Sequence, residues 1–311
     1  MTIAGANTAR TAILKIEACF PDSIVGFIPD KSKSDLHFVK YSLDLMRHRF
    51  LSVSRGATQD NLSLDKLLSF PIPAPDVDEQ RHIGAILSAY DDLIENNQRR
   101  IRILEEMARA LYREWFVLFR FPGHETVPRV PSALGDIPQG WEVKRLGEVA
   151  DISWGDTSMT KGSYVEDGYD AYSASGLDGK LDHYDFDRKG IVLSAIGAQC
   201  GKTWLARGKW SCIKNTIRFW SKDDSASTEF LFIATEGQDF WPRRGGAQPF
   251  ISQADAERKE VLTPDRTRMK DFTKFAADAL EQIAVLKMQI QNLRRTRDLL
   301  LPRLLSGDLH D

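Results

Sequence analysis

The chain has 311 residues, a length that predicts two domains. Its 42% hydrophobic and 28% charged residues exclude a wholly disordered chain. Its 42 Lys and Arg balance 44 Asp and Glu, so the net charge of −2 excludes a uniformly basic coat protein but permits a local basic face. The sequence shows no apolar run of about 18 residues and no signal-peptide pattern. Three cysteines without a C-x-x-C pair predict neither disulfides nor a zinc site, and favour a cytoplasmic protein.

An internal repeat organises the sequence. The stretch from Gly56 to Ser63 matches the stretch from Gly245 to Ser252, and Gln59 pairs with Gln248 at an offset of 189 residues (248 − 59). The same offset continues without a gap through the apolar positions that follow each stretch. Each copy has a Gly/Gln/Ser loop, an apolar stretch, a proline and then a long apolar periodicity.

Residues 1–75 resemble the last half of a domain that is complete only later in the chain. The stretch Ser23–Pro29 corresponds to a strand, and Leu36–Phe50 corresponds to a short helix. No counterpart of residues 141–189 precedes them. We therefore expect the chain to begin within this domain.

The segment 76–120 is predicted to be the first long helix. The prolines of residues 70–75 prevent a helix there, and Asp76 with Glu79 has the spacing of a capping box. Apolar residues then recur every seven positions over about 40 residues, which is about 60 Å of helix. The predicted packing residues are Ile83, Tyr90, Asn97, Leu104 and Leu111. The polar Asn97 either fixes the register or lies at an exposed edge of the seam.

Residues 121–264 are predicted to form a complete α+β domain. Residues 190–196 and 212–220 have the pattern of strands, and residues 228–240 that of a short helix. The stretch 197–203 resembles the end of a phosphate-binding loop, but it lacks the first glycine and fits a hairpin turn better. Six of the seven tryptophans lie in this domain, and most are expected in its core.

The segment 265–311 is predicted to be the second long helix with a C-terminal tail. Its seven-residue spacing includes Leu286, Leu293 and Leu300, which we expect to pack on the first helix. The distal halves of both helices are rich in arginine. These arginines fit solvated faces or a docking surface for a partner or the DNA backbone.

The loops carry the side-chain types that contact DNA. Arginine reads guanine, glutamine reads adenine and lysine contacts phosphate. The candidate DNA-binding residues are Lys161, Tyr164, Tyr172, Ser175, Lys202, Arg243, Arg244 and Gln248, with Arg55 and Gln59 in the first copy. Each one alone also fits a solvated loop, but their recurrence in both copies favours DNA contact for the set. The sequence shows no catalytic or metal-binding motif, which favours a binding subunit over a stand-alone DNA enzyme.

Three stretches resemble the DNA specificity subunits of type I restriction–modification systems. The stretch Ile137–Gly147 resembles the opening of that family's target-recognition domain. The stretch Pro73–Ile83 resembles its P-x-x-E-Q helix start, and Arg297–Leu309 resembles its C-terminal helix ending. The second helix start, at residues 265–269, lacks the E-Q pair.

The resemblance implies an α+β fold, with β-rich target-recognition domains and two long helices packed as an antiparallel coiled-coil spacer. It implies a non-catalytic subunit that binds double-stranded DNA and positions modification (methyltransferase) subunits and motor–nuclease restriction subunits. S-adenosylmethionine, ATP and Mg are then expected in the partner subunits, with no cofactor in this chain. The alternative is a truncated scaffold that binds modification subunits without reading DNA.

Overall fold

The computed structural model describes residues 1–54 and 62–306. The chain divides into two compact units: unit 1 comprises Met1–Ile101 with Ala284–Asp311, and unit 2 comprises Arg102–Ile283. Both boundaries fall inside the long helices. The four segments expected from the sequence therefore differ from the compact units, because each long helix contributes to both units.

The helices of the described residues are α1 (Leu36–Leu45), α2 (Arg47–Ser54), α3 (Leu64–Leu68), α4 (Val77–Tyr112), α5 (Leu146–Val149), α6 (Thr228–Ala234), α7 (Gln253–Glu257) and α8 (Arg266–Ser306). A π-helical turn, Arg113–Val117, extends α4. With this turn the first long helix has 41 residues (36 + 5), close to the predicted 40, and α8 also has 41. Among the described residues, no helix is both long and apolar enough to cross a membrane.

The helix bounds confirm the internal repeat. Helices α3 and α7 have five residues each and begin 189 residues apart, as α4 and α8 also do. Ser63 and Ser252 cap the short helices with their side chains. Asp76 and Asp265 accept backbone hydrogen bonds at the starts of the long helices. Both copies therefore begin their helices with the same capping chemistry.

In unit 1, side-chain contacts show that α4 and α8 run antiparallel. Asp91 of α4 is paired with Arg297 of α8. Six residues further along α4, Asn97 donates to the side chain of Gln289 at 3.3 Å. Residue numbers thus rise along one helix as they fall along the other, which confirms the predicted antiparallel packing, whereas a supercoil stays a prediction. Because Asn97 is buried at 7% exposure and contacts the other helix, it fits the register role rather than an exposed edge.

The buried side of α4 includes the apolar stripe that neighbours the predicted packing residues. Leu87, Ile94, Ile101 and Ala108 are all buried. Of the predicted set, Ile83, Asn97 and Leu286 are buried, whereas Tyr90, Leu104, Leu111, Leu293 and Leu300 are half-buried. Because a straight helix has 3.6 residues per turn, residues spaced seven apart shift gradually around its surface. Two neighbouring stripes therefore share the contact with the other helix.

The N-terminal part of unit 1 contains the predicted helix but not the predicted strand. Residues 36–50 form α1 and the first half of α2. The prediction of a strand at Ser23–Pro29 was wrong, because the β-pairing recorded for this stretch is a single isolated bridge between Ile24 and Thr2. Gln80 anchors the N-terminal part to α4: its buried amide accepts from the backbone N–H of Asp35 at 3.1 Å and donates to the carbonyls of Lys33 and Pro75.

Unit 2 contains the strands of the described residues. They are β1 (Arg129–Ser132), β2 (Gly135–Pro138), β3 (Glu142–Arg145), β4 (Ala150–Trp154), β5 (Tyr169–Ser173), β6 (Gly176–Leu181), β7 (Phe186–Asp187), β8 (Gly190–Ser194), β9 (Thr203–Ala206), β10 (Lys209–Cys212), β11 (Thr216–Ser221) and β12 (Glu260–Thr263). Two sheets have four strands, in the orders β6-β5-β10-β7 and β4-β11-β8-β9. The pair β3–β12 joins the start of the domain to its end.

A core lies between the two four-stranded sheets. Tyr172 and Trp210 from one sheet pack with Val192 and Trp220 from the other. Four of the six tryptophans of residues 121–264 are buried, in agreement with the prediction: Trp141, Trp210, Trp220 and Trp241. Trp141, in the stretch that opens the domain, stacks on Phe121 with ring centroids 5.0 Å apart.

Three of the predicted elements of this domain differ in detail from the structure. The predicted strand at 190–196 ends at Ser194, and 197–203 is the predicted hairpin turn between the antiparallel β8 and β9. The single strand predicted over 212–220 was wrong: β10 ends at Cys212 and β11 begins at Thr216. Asn215 between them has φ 68°, a left-handed conformation that interrupts a strand. The predicted helix at 228–240 ends earlier, at Ala234.

Candidate nucleic-acid interface

The strand order of unit 2 brings five loops to one edge of its two large sheets. Strands β5 and β10 are parallel, and their pairing ends at Tyr172 and Cys212. Strands β4 and β8 both run antiparallel to β11, so their ends lie beside its start at Thr216. We call the segments that follow these ends, together with the segment before α7, the loop cluster: residues 155–160, 173–176, 195–202, 213–215 and 243–250.

Main-chain hydrogen bonds join three segments of the loop cluster at Ala195. The N–H of Ala195 donates to the carbonyl of Asn215, and the carbonyl of Ala195 accepts from the N–H of Ile251, both at 2.9 Å. The N–H of Gly197 also donates to the carbonyl of Pro249 at 3.0 Å. Because these bonds are between backbone groups, the relative positions of the segments do not depend on flexible side chains.

Besides Ser175, four of the residues predicted from the sequence lie in this loop cluster. Lys202, Arg243, Arg244 and Gln248 are all exposed. Lys202 makes no ion pair within the described residues, and Arg243 lies 3.6 Å from the fully exposed carboxylate of Asp239. Lys202 and the Gln248 amide are therefore free to contact a ligand at the rim of the cluster, and Arg243 is held only by a solvent-exposed pair.

Arg244 has a different environment, because its guanidinium is paired with Asp255. The Asp255 side chain is only 3% exposed and also lies 3.3 Å from Arg258. The Ser252 hydroxyl donates to it at 2.7 Å and is the main reason why the pKa of Asp255 lies below its usual range. Arg244 thus anchors its loop to α7. A direct contact between Arg244 and a base would require the loss of a pair with a buried carboxylate.

The predicted residues Lys161, Tyr164 and Ser175 are joined through Asp178. Lys161 lies in a 3-10 turn, pairs with the Asp178 carboxylate and donates to the Ser175 hydroxyl at 3.3 Å. The hydroxyl of Tyr164 donates to Asp178 at 2.7 Å, and so does the hydroxyl of Ser173. Burial acts to raise the pKa of Asp178, but the hydrogen bonds from these neighbours outweigh it and lower the pKa. The carboxylate therefore holds the Lys161 ammonium beside the 173–176 turn.

Three predicted residues are not placed on this surface by the structure. Tyr172 is 6% exposed, and its ring packs against Trp210 with centroids 6.0 Å apart, so the structure does not support a DNA contact from this side chain. The sequence indicated it because it lies in the Gly/Ser-rich stretch after Trp154, but it is the fourth residue of β5 and faces the core. Arg55 and Gln59 lie outside the described residues.

Sequence reasoning missed two exposed residues of the loop cluster. Lys214 is exposed and makes no ion pair within the described residues, in the turn that was taken for part of a strand. Asn215 beside it was the available indication of a turn, since asparagine tolerates positive φ. Phe250 is 41% exposed, and its place next to a Gly/Gln/Pro loop gave no indication of exposure.

The arginines in the distal halves of the long helices divide into paired and unpaired residues. Arg109 makes a two-pronged pair with Glu236 at 2.8 Å, and Arg297 pairs with Asp91 and Asp298. The remainder make no ion pair within residues 1–54 and 62–306: Arg99, Arg100, Arg102, Arg113, Arg294, Arg295 and Arg303. In the same part of the chain, no group of three or more His, Cys, Asp or Glu residues is arranged to hold a metal ion.

Comparison with known proteins identifies the family. The family model described as "Type I restriction modification DNA specificity domain" matches residues 1–106 and 138–283. Because the match covers most of the chain, the protein belongs to this family of DNA specificity proteins. The family that was inferred from three short motifs is thereby confirmed.

Relatives match along most of the chain. The Type I restriction enzyme MjaIX specificity subunit of Methanocaldococcus jannaschii is 24% identical over 298 residues, which cover 89% of this chain and 69% of the relative. The HindI specificity subunit of Haemophilus influenzae is 22% identical over 341 residues, which cover 84% and 74%. A solved S subunit of a Type-I restriction-modification system from M. genitalium matches with a TM-score of 0.64 at 18% identity, over 88% of this chain and 74% of that chain. This structural match confirms the α+β fold class.

Proposed function

We propose that this chain is the DNA-recognition subunit of a type I restriction–modification complex, and that the loop cluster of unit 2 reads the target sequence. The observation that carries the proposal is the set of main-chain bonds at Ala195. They hold Lys202, Lys214 and the 243–250 loop at one edge of a rigid sheet pair. A rigid scaffold that presents cations and an amide can combine phosphate contacts with base contacts. The scaffold alternative has no comparable observation in its favour.

In this proposal the chain supplies position and its partners supply the chemistry. Modification (methyltransferase) subunits and motor–nuclease restriction subunits would assemble on it, and S-adenosylmethionine, ATP and Mg would act in those subunits. A methyltransferase must take its target base out of the stack, which requires a fixed placement on the duplex. The specificity chain would provide that placement through the contacts of its loop cluster with DNA.

Within the loop cluster, we assign two kinds of contact. Lys202 and Lys214 are exposed cations without ion pairs in the described chain, and suit phosphate oxygens. Gln248 is exposed on a loop that Arg244 and Asp255 anchor, and its amide suits an adenine edge in the major groove. Lys161, held by Asp178, would contact the backbone beside the 173–176 turn.

The test is selection of bound sequences from random DNA by the full chain assembled with modification subunits. We expect the wild-type complex to select a defined motif. Gln248→Ala should relax the preference at one position of the motif by about 1–3 kcal/mol. Lys209→Ala is the matched control, because Lys209 is an exposed lysine at the start of β10, away from the loop cluster, and it should leave the motif unchanged. Recovery of no motif with the wild-type complex would refute the proposed function.

A further inference from the structure

Phe250 is an apolar side chain in a polar loop cluster. Within the ranges of that cluster, all of which the structure describes, it is the one large apolar side chain that is exposed. Its neighbour Ile251 is completely buried, so the chain turns the second apolar residue inward and leaves the first in solvent. Burying Phe250 against a ligand would remove an apolar surface from water.

The backbone of Phe250 is held in place on both sides. Its N–H donates to the carbonyl of Arg244 at 2.8 Å, and its carbonyl accepts from the N–H of Arg244 at 2.9 Å. This pair closes the loop 245–249, and a bridge to Ile196 fixes the same residue against the β8–β9 turn. The Phe250 ring is therefore carried by a fixed strand-like pair rather than by a free loop tip.

The base of this loop is anchored in the core of unit 2. Arg244, the hydrogen-bonding partner of Phe250, is paired with the buried Asp255. Gly245 has φ 81°, and a Cβ at this position would lie 2.8 Å from the carbonyl oxygen of Gln248, so the loop can turn tightly only with glycine here. The anchored base and the tight turn fix Phe250 relative to Gln248.

We infer that Phe250 is a specificity-determining residue that contacts the 5-methyl group of a thymine in the target. The inference rests on the proposed function. Thymine displays a methyl group on its edge in the major groove. An apolar side chain that contacts this methyl group therefore selects an A·T pair at that position over the other base pairs. Gln248 beside Phe250 suits an adenine edge, so the two side chains together would read adjacent A·T pairs. The first copy of the repeat has Asn61 at the position equivalent to Phe250, so this contact belongs to the second copy alone.

The test is a double-mutant cycle that combines substitution of the Phe250 side chain with removal of one thymine methyl group. The full chain with modification subunits first selects its motif, and each thymine of that motif is then replaced singly by deoxyuridine, which lacks only the methyl. We expect one replacement to weaken wild-type binding about fourfold, the value for one buried methyl-sized group. With Phe250→Ala, the thymine and deoxyuridine duplexes should bind equally. Phe250→Leu, which keeps an apolar side chain, should retain part of the difference, and Phe250→Asn should abolish it.

Leu134→Ala is the matched control, since Leu134 is also exposed, at 54%, but lies in the β1–β2 turn. It should leave the fourfold difference unchanged. A motif without A·T pairs, equal binding of every deoxyuridine duplex by the wild type, or an unchanged difference with Phe250→Ala would overturn the inference. The inference would also be overturned if Phe250→Ala weakened the binding of all DNA sequences equally. That result would indicate that the Phe250 ring inserts between base steps. None of these outcomes would overturn DNA recognition by this chain, which fails only if no motif is selected, although a motif without A·T pairs would also exclude the adenine contact assigned to Gln248.

Discussion

The substitution Asp255→Asn tests whether the loop that carries Gln248 and Phe250 is anchored through a buried carboxylate. Asp255 is 3% exposed and receives hydrogen bonds from the Ser252 hydroxyl, Arg244 and Arg258. Asparagine keeps the shape of the side chain and removes its charge. The variant therefore removes the charge-assisted component of three bonds without opening a cavity.

The expected loss follows from the exposure of each partner. A hydrogen bond to a charged group contributes about 1.5–3 kcal/mol. Arg244 and Arg258 are 58% and 62% exposed, so water replaces much of what they lose. With Ser252 included, we expect a destabilisation of about 2 kcal/mol. For a unit the size of residues 102–283 this corresponds to a fall in Tm of about 4–8 °C.

Thermal and denaturant unfolding of the two variants measure this loss. Asp239→Asn is the matched control, because it also removes a carboxylate next to a loop arginine, but Asp239 is fully exposed. It should not change Tm measurably. Equal Tm values for Asp255→Asn and Asp239→Asn would refute the anchoring role.

The pH dependence gives a second check with a defined sign. The pKa of Asp255 is lowered in the folded state, chiefly by the Ser252 hydroxyl. Its stabilising effect is therefore complete above the unfolded-state pKa of about 4 and is lost as the pH falls through the lower folded-state value. The advantage of the wild type over Asp255→Asn should be constant at neutral pH and disappear at acid pH. An advantage that grows on acidification would contradict the assignment.

Two further predictions concern the helix core and the cations of the loop cluster. Leu87→Ala should lower the free energy of unfolding by about 2–5 kcal/mol in denaturant unfolding, because Leu87 is completely buried. Leu93→Ala is the control on the same helix, and because Leu93 is 50% exposed it should lower this free energy far less. Equal costs would refute the packing of α4. Lys202→Ala and Lys214→Ala should each reduce the slope of log K for DNA against log salt concentration by about 0.9, measured by titration from low to moderate salt. An unchanged slope would show that these lysines do not contact phosphate.

The sequence predicted best what depends on local patterns. The starts of α4 and α8 follow from Asp76 and Asp265, because a capping side chain satisfies backbone N–H groups that have no partner within the helix. The antiparallel direction of these helices required the family resemblance, because a seven-residue spacing is compatible with either direction. The contact between Asn97 and Gln289 required the structure, since a polar residue in a stripe does not indicate its partner.

The sequence failed where a distant contact or a single backbone angle determines the structure. The alternation over 212–220 continues across a turn that depends on the positive φ of Asn215. Tyr172 and Lys161 lie in stretches of similar composition, but the Tyr172 side chain is on the side of β5 that faces the core. Arg244 resembles a base-reading arginine in sequence, and its pairing with Asp255, eleven residues later, is visible only in the fold.

The two copies of the repeat agree in the residues that cap their helices and differ at other positions, both buried and exposed. The capping serines Ser63 and Ser252 are identical. At equivalent buried positions of the long helices, the first copy has Gln80 and the second has Met269. The Gln80 amide hydrogen-bonds backbone groups of the N-terminal part, whereas the apolar Met269 side chain makes no such bonds. At the loop, the second copy has the exposed Phe250. In the proposed function, shared helix caps with different loop side chains would let one fold present different contacts to DNA. Specificity can therefore change through a few loop residues while the caps and the helix pairing stay the same.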